Sequence, residues 1–111
     1  MPLGYDLEER TARLGENIIK FCKTIRLDEF NRPLINQIIR SATGVGANYM
    51  EANGAASKKD FINKIYICKK ETQETKHWLR MLSATNQERK EELRVFWLES
   101  QELTMIFQKI I

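Results

Sequence analysis

Ser41-Ala-Thr-Gly-Val-Gly-Ala-Asn-Tyr-Met-Glu-Ala-Asn-Gly54, followed after two alanines by Ser57-Lys-Lys-Asp-Phe-Ile62, decides how this chain folds. Small residues, an amide and a carboxylate share one helical segment. Gly54 then supplies a stop, since a left-handed residue there avoids a Cβ clash. Ser57 with Asp60 three positions later resembles a capping box, with Asp in place of the preferred Glu. The stretch therefore reads as the end of one helix and the start of the next.

Working outward, the apolar periods are helical almost throughout and no segment alternates for long like a strand. Leu7, Thr11, Leu14, Ile18, Phe21, Cys22 and Ile25 recur at spacings of three and four, with Asp6 as cap and Glu8 and Glu9 in the first turn. This predicts a first helix over 6–27. Pro33 fits the first turn of a second helix, where its missing N–H costs nothing. Ile35, Ile38, Ala42, Val45, Tyr49 and Ala52 give that helix its inner face, widened by Leu34 and Ile39. A third helix, from Ser57 to about Ala84, carries Phe61, Ile65, Cys68, Thr72, Thr75, Leu79 and Leu82, with a polar middle. A fourth, over 88–110, carries Leu93, Phe96, Trp97, Leu103, Ile106, Phe107 and Ile110. Four rods of similar length with short connections predict an all-α, up-down-up-down antiparallel four-helix bundle, formed as a single domain over 1–111.

Composition agrees. With 111 residues, 42% apolar and 30% charged, the chain supports one core and resembles neither a disordered nor a membrane protein. No apolar run reaches the roughly 20 residues needed to span a bilayer. The first six residues carry no basic flank and apolar segment of a signal peptide, so the expected location is cytoplasmic. Cys22 and Cys68 lie on apolar stripes and outside any C-x-x-C pair, so they read as buried free thiols. The net charge of +3 is unevenly spread. Residues 57–80 hold seven cations against three carboxylates, a net of +4, whereas residues 88–102 hold three cations against five, a net of −2. That asymmetry permits an anionic partner.

Candidate chemistry is thin. Gly44 and Gly46 match no phosphate-loop spacing and follow no strand, so they predict a close helix–helix approach. Glu74-x-x-His77 is the helical motif of di-metal bundles. A complete site needs two such motifs and two further Glu, and the chain has one His, so no metal or other cofactor is expected. Asn48 with Glu51, and Glu71 with Glu74, fall at i, i+3. As acid–base groups they lack a nucleophile and a pocket, and the expectation is that they fix register in the bundle or at a subunit contact. Lys69, Gln73, Lys76 and Arg80 form a stripe at i, i+4, i+7 and i+11 on the third helix. Such a stripe either holds phosphates by charge or is an ordinary solvated face. Trp78 and Trp97 read first as bundle or interface anchors and second as stacking platforms for bases. No catalytic constellation emerges, and the chain is expected not to be an enzyme.

The segments Gln37-Ile-Ile-Arg-Ser-Ala-Thr-Gly-Val-Gly-Ala-Asn-Tyr-Met-Glu-Ala52, Ser57-Lys-Lys-Asp-Phe-Ile-Asn-Lys64 and Cys68-Lys-Lys-Glu-Thr-Gln-Glu-Thr-Lys-His-Trp-Leu-Arg-Met-Leu82 resemble a bacterial four-helix-bundle family. That family is named for a reading frame in intervening sequences of 23S ribosomal RNA genes. It is similar to the accessory subunit of diversity-generating retroelements, a pentameric barrel that binds nucleic acid and a reverse transcriptase. Arg40, Ser41, Ala47, Asn48, Glu51, Asp60, Phe61 and Glu74 match the family pattern. Gly44 stands where Ser is more usual, and Gly54 arrives two places late. The resemblance implies a homopentamer with a basic surface. The expected function is a non-enzymatic oligomeric scaffold binding RNA or DNA without strong sequence preference. Lys69, Lys76 and Arg80 would supply charge, helped by Arg13 and Lys20, while Arg40, Asn48, Glu51, Glu71 and Glu74 form polar contacts. The competing expectation is an adaptor ring that docks a protein, such as a reverse transcriptase, and no nucleic acid.

Overall fold

The computed structural model describes residues 6–111 and shows four helices and, among these residues, no strand. Helix α1 spans Leu7–Cys22, α2 Asn31–Asn53, α3 Lys58–Thr85 and α4 Lys90–Ile110, with one turn of 3-10 helix over Gln87–Arg89 leading into α4. They form a bundle 44 × 22 × 18 Å in extent. The tightest seams are α2–α3 and α3–α4, followed by α1–α2, while α1 and α4 meet along a sparse edge.

Helix boundaries follow side-chain hydrogen bonds. Asp6 accepts from the Glu9 N–H at 3.1 Å and caps α1 as expected. The far end of α1 stops five residues short of the expected limit. Thr24 Oγ donates to the Phe21 carbonyl at 2.6 Å, and the backbone there tightens into three-residue turns. A hydroxyl that captures a helix carbonyl competes with the next helical turn. Ile25 stays buried beyond that end, so the apolar period outlasts the helix.

Helix α2 begins at Asn31, two residues before Pro33, because the Asp28 carboxylate accepts from the Phe30 and Asn31 N–H groups at 3.0 and 2.7 Å. Gly54 ends α2, but its φ of −95° is not left-handed. The chain turns there through bonds from the Gly54 N–H to the Met50 and Glu51 carbonyls. Ser57 accepts from the Asp60 N–H at 3.1 Å, as the capping pattern predicts.

The core contains the expected stripes: Leu7, Leu14 and Ile18 of α1, Ile38, Val45 and Tyr49 of α2, Ile65, Leu79 and Leu82 of α3, and Leu93, Leu103 and Phe107 of α4. Cys22 and Cys68 are buried free thiols within it. Burial pushes them up to about 11 and about 12 respectively. Trp78 packs on the core edge, but Trp97 does not: it is 37% exposed. The helical spacing assigned both Trp97 and Phe96 to one face, and only Phe96 turns inward, edge-on to Phe21 at 5.6 Å.

The polar middle of α3 is a layer of hydroxyls. Thr72 meets Thr104 at 2.8 Å and Thr75 meets Ser41 at 3.0 Å, and all four side chains are buried. At one end of the bundle, Asn31 and Asn86 clasp across the two connections. Asn86 Nδ2 donates to Asn31 Oδ1 at 2.9 Å, Thr85 Oγ donates to the same oxygen at 2.7 Å, and Asn31 Nδ2 donates to the Arg26 carbonyl at 2.8 Å. Among the described residues every buried side-chain polar atom has a partner, as buried groups in native folds generally do.

Of the two helical glycines expected at a close approach, Gly46 fits: a Cβ there would lie 3.5 Å from Thr11 backbone atoms of α1. Gly44 serves a different purpose. A Cβ on it would meet the Glu71 carboxylate, so its missing side chain makes room for that charged group.

Candidate nucleic-acid interface

Three outer seams of the bundle differ in charge, and helical spacing sets the difference. On the α2–α3 seam, Arg40, Asn48 and Glu51 line up on α2. Arg40 bridges Glu71 at 3.5 Å and pairs with Glu74, whose carboxylate also accepts from Trp78 Nε1 at 3.3 Å. Asn48 Nδ2 turns back to the Gly44 carbonyl at 2.8 Å, and Lys64 pairs with Glu51 at 2.7 Å. Each of these polar side chains is spent on a neighbour within the seam. The Arg40 and Glu51 pairs link α2 to α3, while Asn48 bonds within its own helix.

His77 stands exposed with its ring edge-on to Trp78 at 4.8 Å. No group of three or more His, Cys, Asp or Glu able to hold a metal occurs among the described residues. None of their helices is long and apolar enough to cross a membrane.

The α1–α4 edge is likewise neutralised. Arg10 takes Glu99 in a two-pronged contact at 2.7 and 2.8 Å and reaches Glu102 at 2.9 Å. Arg13 pairs with Glu9 one turn away at 3.0 Å and lines the shallow cleft between α1 and α4. Lys20 is exposed on α1. Arg13 is thus engaged on its own helix and at the α1–α4 cleft, and neither it nor Lys20 lines the groove between α3 and α4. Sequence alone could not show this, because charge on α1 carries no information about which seam it faces.

The α3–α4 seam is the exception. Lys69, Lys76 and Arg80 all face it, as their shared stripe predicts. Lys69 Nζ donates to Gln108 and Lys76 Nζ to Gln101, both at 2.5 Å, so α4 glutamines hold these lysines without cancelling their charge. Toward the α3–α4 turn the seam opens into a groove of about 660 Å³, lined by Leu79, Arg80 and Ser83 from α3 and Lys90, Glu91, Leu93, Arg94 and Trp97 from α4. Lys76 Nζ sits 5.2 Å from the Trp97 ring centroid, a cation–π contact.

Five cations thus share one face: Lys69, Lys76, Arg80, Lys90 and Arg94. Among the described residues none has an ion-pair partner, which is also true of eight exposed cations scattered elsewhere, whereas Arg10, Arg13, Arg40, Lys64 and Arg89 are paired; what sets these five apart is their gathering on one face. Glu91 is the one carboxylate lining the groove. The sequence reading missed Lys90, Arg94 and Trp97 as members of this face. Their signal was present: Lys90, Arg94, Trp97, Gln101 and Gln108 fall at i, i+4, i+7, i+11 and i+18, matching the stripe on α3. The net negative charge of residues 88–102 concealed it, because Glu92, Glu99 and Glu102 are occupied by arginines outside the groove.

Chemically, the arrangement can hold a polyanion and offer one flat ring. It places no activated hydroxyl, thiol or imidazole in the groove.

The fold and the sequence both have known counterparts. No curated protein matches the chain. A solved structure from Bacteroides thetaiotaomicron, described as a protein with unknown function from the S23 ribosomal protein family, superposes with a TM-score of 0.82 at 31% identity. That match covers 95% of this chain and 97% of the other. The family described as 23S rRNA-intervening sequence protein matches residues 5–109, nearly the whole helical bundle, and the chain belongs to that family.

Proposed function

We propose that this protein is a non-enzymatic, self-associating scaffold that binds RNA or DNA through the α3–α4 face, by charge and without strong sequence preference. The observation supporting this most is the clustering of cations along one seam. Carboxylates neutralise Arg10 on the α1–α4 edge and Arg40 and Lys64 on the α2–α3 seam, while five cations gather unpaired along the α3–α4 seam. Binding would displace counterions from the nucleic acid, which makes affinity steeply salt-dependent. With about four phosphates engaged, a log–log salt slope of roughly −3.6 follows for duplex and roughly −2.8 for single strands. Raising salt from about 50 to about 200 mM would then weaken duplex binding about a hundred-fold. A low-salt titration with mixed RNA and DNA oligomers tests the reading, and absence of binding refutes it.

Self-association is supported by apolar surface that the bundle leaves uncovered. Val95, Leu98 and Met105 are 64%, 49% and 53% exposed and lie on the side of α4 away from its buried face. A shallow apolar groove between α1 and α2, containing Ala12, Gly15, Ile19, Gly46 and Met50, lies elsewhere on the same molecule. A ridge and a groove at separate places favour head-to-tail contact between copies, which closes into rings when the rotation permits. The resemblance puts the number at five. Light scattering at micromolar concentration tests it, and a 13 kDa particle refutes it.

The same uncovered ridge favours the second reading, an adaptor ring that docks a protein and no nucleic acid. Exchanging Lys69, Lys76 and Arg80 for glutamine separates the two. Nucleic-acid binding is lost under the first reading, while assembly and protein docking survive under both.

A further inference from the structure

Deepening that reading, and resting on it, we infer that the α3–α4 groove selects single-stranded nucleic acid, with Trp97 as a platform on which an unpaired base stacks. The groove has three parts whose chemistry differs by position. Its floor is apolar, formed where Leu79 and Leu93 enter the core. Its rim is cationic on both helices, with Arg80 on α3 and Lys90 and Arg94 on α4. Trp97 stands between these as a partly exposed wall, with Lys76 drawn over its ring by Gln101.

A duplex cannot use that arrangement. Its base faces are already stacked inside the helix, so it offers the groove only phosphate and sugar. The cations would then act alone and the indole would contribute nothing. A single strand presents both parts: phosphates for the rim, and a flat face for the indole over a floor that excludes water. Aromatic rings set inside a basic groove are how sequence-tolerant single-strand binders combine these two terms. Every base has a π-face, so this selects strandedness without selecting sequence. Trp78, by contrast, has its Nε1 bonded to Glu74 on the neutralised α2–α3 seam and is not available for this role.

The contact is testable apart from its parent reading. Affinities of the full chain for labelled single-stranded and duplex oligomers of equal length are measured by anisotropy at low salt, for wild type, Trp97→Leu and Trp97→Phe. The inference expects single strands to bind more tightly than duplex. Trp97→Leu should lose about 5- to 150-fold in single-strand affinity, the range for one stacked base, while duplex affinity stays within about two-fold. Trp97→Phe should recover part of the loss, which restoration of fold alone would not do selectively. In a Trp78→Phe background, where Trp97 is the one remaining indole, single strands should quench its fluorescence and duplex should not. Equal affinity for both forms, or equal loss of both in Trp97→Leu, overturns the stacking contact and leaves charge-based binding standing. No binding to either form overturns both.

Discussion

Replacing Asn31 by alanine should cost this fold more than its position at a connection suggests. The side chain is 2% exposed and holds three partners across the end of the bundle. Its Nδ2 serves the Arg26 carbonyl, and its Oδ1 receives Thr85 Oγ and Asn86 Nδ2. After truncation, Thr85 and Asn86 Nδ2 keep the Leu82 carbonyl at 3.3 and 3.0 Å. Asn86 Oδ1 loses the donor it had at 3.2 Å, and the Arg26 carbonyl loses its side-chain donor. The N-terminus of α2 is unaffected, because the Asn31 N–H is held by Asp28. Two acceptors left short, at about 1–3 kcal/mol each and with partial relief from entering water, give a loss of about 2–4 kcal/mol. For a chain of this size that lowers Tm by roughly 10–15 °C. Urea unfolding followed by helical circular dichroism measures it. Combining Asn31→Ala with Asn86→Ala should cost less than the sum of the single losses, because the partners are shared. A loss below about 0.5 kcal/mol, the ordinary range for surface changes, would refute the clasp.

Other perturbations have definite signs. Gly46→Ala should stabilise by about 0.5–1 kcal/mol, since its Cβ would make ordinary contact and helix propensity improves, whereas Gly44→Ala should gain less because its Cβ lands on Glu71; denaturant midpoints compare the two. Burial raises both thiols in the folded state, so their contribution is intact below the unfolded value near 9 and is lost as pH rises toward about 11 and about 12. Unfolding free energy should therefore fall above pH 9, by up to about 1.4 kcal/mol per pH unit per thiol, and a denaturant series between pH 7 and 10 checks it. Native Cys22 and Cys68 should also resist a thiol reagent at pH 8 and react once denaturant is added. Arg10→Ala removes the paired contacts that hold the sparse α1–α4 edge, at about 0.5–1.5 kcal/mol, and amide exchange should quicken in α1 before α3.

Much of this architecture was legible in the chain because apolar periodicity is a local signal. Ile35, Ile38, Ala42, Val45, Tyr49 and Ala52 announce the inner face of α2, and all are buried. What escaped was set by tertiary geometry. Asn31 and Asn86 meet across 55 residues, and no spacing rule links them. Trp97 sits one residue from Phe96, so a period of 3.6 admits both to the same broad face, and only packing decides which turns inward. The end of α1 at Cys22 depended on one hydroxyl, Thr24, capturing a carbonyl. The stripe on α3 was readable, but its counterpart on α4 was masked by glutamates whose arginine partners lie on other seams or in the adjoining turn.

The most direct measurement compares two charge reversals in one nucleic-acid titration across a salt series. Arg80→Glu with Arg94→Glu should abolish most binding and flatten the salt slope by roughly two phosphate contacts. Arg13→Glu with Lys20→Glu, equal in charge but placed on α1, should leave affinity and slope near wild type. If both pairs weaken binding alike, net charge rather than the α3–α4 face governs it, and the account is contradicted.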